Sequence, residues 1–282
     1  MKSKILLLLL CVAYNGYAQS ESNPAKKYRK TMPISLELAA GFNQSKFIDF
    51  GTSPIYYHGM LRQVSVAYRK ATDKREVAYQ ANYASGKYQM EFNNMNLTSN
   101  VTTFFSFRHS RLFQLPVMKN SKWNVKVGGT FDALVLIRTN TGLMNNALGL
   151  DMFNNLFLSG KASKDISNET QKRWKFIKIK PKKRSLAYQL DAGIINANWR
   201  NNFIYSNSSP VYNEGKITAG HQYAMFSGFR MSSRLDYEHT TFNNNTIKYS
   251  YLWDAMMTGT NNQDRLQLGN HLFLVSLNLK IR

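Results

Sequence analysis

The feature that most constrains this 282-residue chain is a strict alternation of side chains along single segments. From Trp123 to Ala133 every second residue is apolar or Gly, and the residues between them are polar or Gly. A period of two is typical of a β-strand that buries one face. The segment is longer than the five or six residues of an average soluble strand, and it matches the roughly 9–11 residues of a tilted membrane-spanning strand.

The same alternation recurs along most of the chain. It is clear in segments 34–42, 64–69, 77–83, 186–191, 234–239, 247–254 and 273–282, and weaker in 101–112, 173–180, 199–205 and 217–229. Turn-like clusters rich in Asn, Gly, Asp and Thr separate many of these segments. The pattern predicts an all-β protein with about twelve strands, within a range of ten to fourteen.

One segment departs from the period of two. Between Leu143 and Phe157 the apolar residues recur at steps of three and four, with polar residues between them. This spacing predicts a short amphipathic helix in a long loop. Such a helix could fold into the interior of the protein, lie at a membrane surface, or pack within a long outside loop.

The N-terminus predicts an exported protein. Residues 1–18 combine basic Lys2 and Lys4, an apolar stretch and small residues before Gln19, which is the pattern of a cleavable signal peptide. Residues 19–32 form a polar, basic leader. The single cysteine, Cys11, lies within the signal, so the exported chain is expected to fold without disulfides.

Composition supports a membrane location without spanning helices. Charged residues make up only 19% and aromatic residues 13%, whereas soluble proteins have about 25% charged residues. Beyond the signal no run reaches the roughly 18 apolar residues of a spanning helix. The net charge of +21 becomes +19 once the signal is removed.

With its export signal, its long alternating strands and a last strand from His271 to Arg282, the chain resembles Gram-negative outer-membrane β-barrel proteins. The resemblance covers residues 33–282 and implies a closed, antiparallel transmembrane barrel in the cell outer membrane. Barrels of this class carry aromatic girdles at both interfaces. The candidate girdle residues are Trp123, Trp174, Trp199 and Trp253. A soluble, secreted β-sandwich that acts as a binding module is the alternative, because its strands also alternate.

A basic stretch between residues 172 and 184 is the first candidate site. Its cationic residues are Lys172, Arg173, Lys175, Lys178, Lys180, Lys182, Lys183 and Arg184. Clustered cations beside aromatic residues suit the phosphates of membrane lipid or lipopolysaccharide. A solvated hairpin with extended lysines is the alternative. Nucleic acid is not expected as a partner of an exported protein.

The predicted inner faces of the strands form the second candidate site. The candidate lumen-lining residues are Lys126, Asp132, Asp191, Arg234, Asp236, Glu238, Lys248 and Asp254. Mixed charges of this kind can pair across a narrow barrel and plug it, or line a wider channel.

Catalysis has no clear sequence signature. The histidines at 58, 109, 221, 239 and 271 are scattered, and a hydroxyl residue adjacent to a histidine in a strand points to the opposite face. No cofactor or metal site is predicted. The expected role is passive, either a narrow pore or a structural or surface-interaction protein with an unidentified envelope partner. A barrel enzyme acting on lipid or lipopolysaccharide is the alternative.

Overall fold

Strands dominate the part of the chain that the structure describes. The structure is a computed structural model, and it describes residues 32–51, 53–92, 95–115, 123–140, 142, 148–167, 172–174, 177–179, 183–201, 218, 221–241, 245–259 and 265–281. Residues 1–31, which include the predicted signal peptide and most of the leader, lie outside these ranges, and both segments stay predictions. No helix in the described ranges is long and apolar enough to cross a membrane.

Ten long strands and three short ones are formed in these ranges. They are β1 (Ile34–Asp49), β2 (Ser53–Ala71), β3 (Arg75–Phe92), β4 (Met95–Gln114), β5 (Trp123–Thr139), β6 (Leu148–Asp165), β7 (Lys172–Trp174), β8 (Ile177–Ile179), β9 (Arg184–Asn201), β10 (His221–Met225), β11 (Gly228–Thr240), β12 (Thr246–Thr258) and β13 (Leu266–Lys280). The long strands have 13 to 20 residues, which exceeds the roughly 9–11 residues needed to span a bilayer.

The ten long strands close into an antiparallel barrel. Each long strand pairs with the next along the chain, β6 pairs with β9, and β13 returns to β1. The closed antiparallel barrel predicted from the sequence is therefore confirmed, but the count of about twelve strands is not. Predicted segments 217–229 and 234–239 share one place in the wall, because β10 and β11 pair successively along the same edge of β9. Segment 173–180 forms the separate β7–β8 hairpin.

The register of the strands fixes the tilt of the wall. A path through directly paired residues starts at Ala162 on β6, crosses every strand of the ring and returns to β6 at Leu150, twelve residues away. The path runs through Tyr188, Leu235, Tyr251, Phe273, Phe42, Arg62, Ser85, Thr103 and Ile137. For ten strands this offset corresponds to a tilt of about 40° from the barrel axis.

The helix predicted within Leu143–Phe157 is wrong for the part that the structure describes. Residues 148–157 belong to β6, whereas 143–147 lie outside the described residues. Phe153 and Phe157 point inward and are fully buried, while Met152 and Leu156 are exposed on the outer face. Because both faces of β6 are apolar here, the period of two is hidden, and the remaining spacing resembles that of a helix.

The two faces of the wall differ sharply. On β1 and β13 exposed outer residues such as Leu38, Phe42 and Val275 alternate with buried inner residues such as Glu37 and Asn43. Outer-face apolar side chains are commonly 40–60% exposed, as expected of a surface that meets lipid tails rather than water. We call the end at which β1 begins and β13 ends the terminal end, and the opposite end the far end.

Candidate functional site

The interior of the barrel is filled, beginning with a layer of ion pairs near the terminal end. Glu37 forms ion pairs with Lys248 and Arg69, at 2.5 Å from Lys248 Nζ and 3.1 Å from Arg69 Nη2. Lys161 Nζ donates to both oxygens of Glu76 at 2.8 and 2.9 Å. Five strands contribute these side chains, so the pairs tie distant parts of the wall together and block the axis.

A second polar layer lies deeper in the barrel. The guanidinium of Arg230 donates two hydrogen bonds to Asp254 at 3.0 and 2.7 Å, and a third to Asp132 at 2.7 Å. Arg108 pairs with Asp191, which also accepts from the hydroxyl of Ser232 at 3.2 Å. Paired, hydrogen-bonded charges of this kind tolerate burial, whereas unpaired ones do not.

Apolar side chains fill the next section toward the far end. Leu61, Tyr88, Phe153 and Leu266 are fully buried in this cluster, and Phe47 stacks on Tyr57 with ring centroids 5.0 Å apart. The cluster offers water few hydrogen-bond partners, because the hydroxyl groups of Tyr57 and Tyr88 are the only side-chain oxygens among its members.

Four charged residues form a ring at the far end. Nη2 of Arg138 lies 2.6 Å from an oxygen of Asp49 and 2.6 Å from an oxygen of Asp151. Arg200 bridges the remaining oxygens of the same two carboxylates at 3.0 and 3.1 Å. All four are buried, so the ring (the far-end quartet) closes the interior electrostatically as well as sterically.

Two small cavities lie within the described part of the barrel, and a larger space opens at its terminal mouth. The cavity between the polar and apolar layers has a volume of about 80 Å³, and another beside Arg108 has about 20 Å³. A vestibule of about 770 Å³ opens at the terminal end. Arg69, Glu76 and Lys161 line its inner part, so the first layer of ion pairs forms its floor.

Positive and negative charges are distributed unequally between the faces of the wall. Within the described residues, the ion pairs join nine carboxylates to nine cationic side chains, all on inner faces. On the outer faces, the charged side chains that the structure describes are all cationic. They are Lys46, Arg62, Lys70, Arg75, Lys87, Arg111, Lys164 and Arg184.

Several of these outer cations sit over aromatic rings. Lys46 Nζ lies 4.5 Å from the ring centroid of Tyr56, and Lys164 Nζ lies 5.2 Å from that of Trp123. Arg75 and Arg111 both approach Phe113 at 5.4 and 5.3 Å. Cations that rest on aromatic rings are typical of the membrane–water interface, where the stem is apolar and the head is hydrated.

The predicted lumen residues all lie on inner faces. Lys126, Asp132, Asp191, Asp236, Lys248 and Asp254 are buried, and Arg234 and Glu238 are partly buried. They contact each other and their neighbours rather than a continuous water-filled channel. Contact with a transported solute stays a prediction.

The candidate lipid and girdle residues are less completely described. Two residues of the basic stretch, Lys183 and Arg184, line the vestibule. The β7–β8 hairpin contains Lys172, Arg173 and Lys178, whose side chains are outside the described residues. The described residues do not include Lys175, Lys180 and Lys182. Of the candidate girdle residues, Trp123 is exposed at the start of β5, and Trp253 is half-buried on β12. The ring centroid of Trp199 lies 4.3 Å from that of His221. The side chain of Trp174 is outside the described residues.

The histidines contact rings and single hydrogen-bonding groups. His109 stacks on Tyr79 at 4.5 Å, and His239 on Tyr249 at 5.9 Å. His271 Nδ1 is 2.8 Å from the hydroxyl of Tyr251, and His221 Nε2 is 2.7 Å from the carbonyl of Leu150. Among the described residues, no group of three or more His, Cys, Asp or Glu is arranged to hold a metal.

The sequence pattern did not predict the far-end quartet. Its members are one Asp or Arg on each of four strands that are separated along the chain, and isolated charges of this kind form no motif. A signal was nevertheless present for two of them, because Asp49 and Arg138 lie at positions that continue the inner-face alternation of β1 and β5.

No family model matches the chain, and no curated protein sequence matches it. Among solved structures, the chain is similar to the outer membrane protease OmpT from Escherichia coli at 6% identity and a TM-score of 0.50, over 88% of this chain and 97% of that one. It is also similar to the transport unit of the autotransporter AIDA-I from Escherichia coli (9% identity, TM-score 0.46, 93% of each chain). A third match is Neisserial surface protein A, at 10% identity and a TM-score of 0.32, over 86% of this chain and 96% of that one.

The closed antiparallel barrel with its apolar outer wall is the fold found in outer-membrane β-barrel proteins, as the sequence resemblance implied. An outer-membrane location is consistent with this fold. The matched proteins include a protease, a transport unit and a surface protein, so the likeness shows the fold alone.

Proposed function

We propose that the protein is a non-conducting, non-enzymatic barrel of the outer membrane, with a structural or surface-interaction role. The observation that carries the proposal is the filled interior, in which three charged layers and one apolar layer follow each other along the axis. Such a barrel acts as a rigid membrane-embedded scaffold, and its contacts with other molecules occur at its ends and on its outer wall.

The size of the internal spaces supports a closed barrel over a narrow pore. The cavity of about 80 Å³ between the layers has room for a few water molecules. The vestibule ends at the ion pairs of Arg69 and Glu76 with their partners. Opening a continuous path would separate buried charge pairs, and each broken pair costs about 3–5 kcal/mol.

The charge distribution supports a permanent position in a membrane. Because the ion pairs neutralise the interior, much of the positive charge lies on the outer wall, at the ends and in the basic stretch. Lipid phosphates at the two interfaces are the natural counter-charge for cations that flank an apolar belt. We extend this proposal to the basic stretch from Lys172 to Arg184, whose proposed partner is the phosphate of membrane lipid or lipopolysaccharide.

The contacts of the histidines support a non-enzymatic role. A lipid-cleaving barrel of the type considered above needs a nucleophile, a base and an orienting acid within hydrogen-bond reach. In the described ranges the recorded partners of His109, His239 and His271 are tyrosine side chains. Nine carboxylates of the strands form ion pairs with Arg or Lys inside the barrel.

Planar bilayer recordings test the proposal directly. The purified full-length protein, refolded in detergent and added to a planar bilayer, is expected to give no conductance steps, while a conducting porin in the same membrane serves as the positive control. Insertion is checked separately by the shift in gel mobility of the folded barrel on heating. Regular conductance steps from inserted protein would overturn the closed-barrel proposal, and a protein that stays soluble without detergent would overturn the membrane proposal.

A further inference from the structure

The outer wall carries a compact group of cations near the far end. Lys46, His58, Arg62 and Lys87 lie on the adjacent strands β1, β2 and β3, and all four side chains are exposed on the outer face. Lys46 is directly opposite His58, and Lys87 is directly opposite Met60, between His58 and Arg62. We call these four residues the far-end basic patch.

No carboxylate with a described side chain lies on the outer face near this patch. The acidic residues on β1, β2 and β3 with described side chains are Glu37, Asp49 and Glu76, and all three are buried on inner faces and paired there. Among the side chains that the structure describes, the patch therefore has no acidic partner on the lipid-facing wall, where a cation is costly unless it meets a counter-charge at the interface.

An apolar groove adjoins the patch. Its volume is about 380 Å³, and its walls are formed by Phe229, Trp253 and Met257, with Lys46 and Tyr56 at one edge. Its floor is shallow because Ala255 and Gly269 are directly paired across β12 and β13. A Cβ placed on Gly269 would meet no atom within 4 Å, so the groove is open at this point.

The groove and the patch are continuous through Lys46. Gly269 pairs with Ala255 on one side and with Lys46 on the other, and Lys46 in turn pairs with His58. One row across four strands thus passes from an apolar floor to a cationic surface. An amphiphile with an apolar chain and an anionic head complements this row, whereas a soluble anion would leave the groove unfilled.

From this juxtaposition we infer that the far-end basic patch and the adjoining groove bind one molecule of lipid A, a lipid whose head group carries two phosphates. One acyl chain lies in the groove over Ala255 and Gly269, and the phosphates meet the cations of the patch. The inference rests on the proposed membrane location.

The spread of the cations favours two phosphates over one. Arg62 is four residues from His58 along β2, a distance of about 13 Å. Lys87 lies two strands away from Lys46, because β2 separates β1 from β3. Charge-assisted hydrogen bonds to phosphate need separations of about 2.7–2.9 Å. Two phosphates linked by a head group can each contact part of the patch, whereas a single phosphate cannot reach all of it without drawing the side chains together.

Trp253 provides a reporter inside the groove. A variant with Trp123→Phe, Trp174→Phe and Trp199→Phe keeps Trp253 as the only tryptophan. In vesicles of brominated phosphatidylcholine, the bromine atoms quench Trp253, and an unbrominated lipid that occupies the groove relieves the quenching. The probes are diphosphoryl lipid A and monophosphoryl lipid A, which differ by one phosphate.

Diphosphoryl lipid A is expected to relieve quenching at a mole fraction about tenfold lower than monophosphoryl lipid A, because one charged contact is lost. A triple variant should raise the mole fraction of diphosphoryl lipid A that is required for relief about a hundredfold. It combines Lys46→Gln, Arg62→Gln and Lys87→Gln. Gly269→Leu, which fills the groove without a backbone clash, should abolish the relief while the gel mobility of the folded barrel is unchanged. The matched control, Lys70→Gln with Arg75→Gln and Arg111→Gln near the terminal end, should behave like the parent.

Equal relief by the two forms of lipid A, or an equal loss in the control variant, would overturn the inference and leave the proposed function standing. Absence of quenching by the brominated host lipid would show that Trp253 is not in contact with lipid. That result would overturn the proposed membrane location and, with it, the lipid site.

Discussion

Arg75 and Lys87 point outward from the same strand, β3, twelve residues apart, and the outer residues from Val77 to Tyr83 between them are apolar or aromatic. At about 3.3 Å per residue and a tilt of about 40°, this separation is about 30 Å along the barrel axis. The hydrocarbon core of a bilayer is also about 30 Å thick. The two cations therefore mark two interfaces of a membrane-spanning wall.

Cysteine labelling should show this boundary. The only native cysteine, Cys11, lies in the predicted signal peptide, so an introduced cysteine is a single reporter in the processed chain. In lipid vesicles, Ala81→Cys should react with a water-soluble maleimide at least about tenfold more slowly than Lys87→Cys, because lipid covers the first and water reaches the second. If the two cysteines reacted at equal rates in vesicles and also at equal rates in detergent, lipid would not cover Ala81. That result would contradict an apolar belt between Arg75 and Lys87.

The orientation of the barrel follows from the lipid A site, because lipid A occupies the outer leaflet. The far end should then face the cell surface and the terminal end the periplasm. In intact cells a membrane-impermeant maleimide should label Lys87→Cys but not Lys74→Cys, which lies in the exposed turn between β2 and β3. Lys74→Cys should react only after the outer membrane is permeabilised, and the reverse pattern would invert the barrel.

The far-end quartet should contribute strongly to stability. Arg138→Met removes one of two cations that face Asp49 and Asp151 and leaves buried negative charge uncompensated. The free energy of unfolding should fall by about 3–5 kcal/mol, measured by urea unfolding in lipid vesicles. Lys87→Met, an exposed cation on the outer wall, is the control and should change stability by less than about 1 kcal/mol. A loss of similar size in both variants would argue against a structural quartet.

The seam between the first and last strands depends on a glycine. A Cβ at Gly41 on β1 would lie 1.9 Å from the carbonyl oxygen of Phe273 on β13. Gly41→Ala must therefore push the two strands apart, and we expect a loss of about 1–3 kcal/mol and slower barrel closure, followed by heat-modifiable gel mobility. Gly269→Ala meets open space and should fold at the parental rate. Tolerance of Gly41→Ala would mean that the strands do not approach this closely.

The junction between β10 and β11 contains a strained residue. Phe226 has φ of 57°, and its amide donates to the carbonyl of Asn196 at 2.7 Å. A bulky residue is unfavourable in this left-handed region, whereas Asn tolerates it. Phe226→Asn should raise the free energy of unfolding by up to about 1 kcal/mol, and Phe226→Val should lower it by a similar amount, both measured in urea. A loss of stability in Phe226→Asn would indicate that the Phe226 ring contributes more than its backbone conformation costs.

Parts of the fold that depend on local pattern were predictable. Wherever one face meets lipid and the other is polar, as on β1 or the first half of β5, alternation identified both the strand and the direction of its side chains. The inward direction of the predicted lumen residues follows from the same alternation, since charged residues between outward apolar ones must point inward in a closed barrel.

The two predictions that failed have different physical causes. The interior is apolar near Leu136 and Phe153, so strands crossing this section carry apolar residues on both faces and lose their period. The helix predicted across the start of β6 came from this section. The strand count failed because β10 and β11 occupy one place in the wall, segment 186–191 and the start of 199–205 belong to the single strand β9, and β7 and β8 lie outside the ring. The strand β6, whose start was predicted as a helix, brings the number in the ring to ten.

The sequence by itself determined that the chain is built of long amphipathic strands suited to a lipid–water boundary, because that property depends only on residues two apart. The tertiary structure alone decided that the barrel has ten strands, that charged residues of distant strands pair inside it, and that a cationic patch adjoins an apolar groove. These features depend on register, which brings Asp49 to Arg200 and Gly269 to Lys46 across long separations in the chain. Register follows from the closure of the whole ring, since each strand can settle only where every inner charge finds a partner.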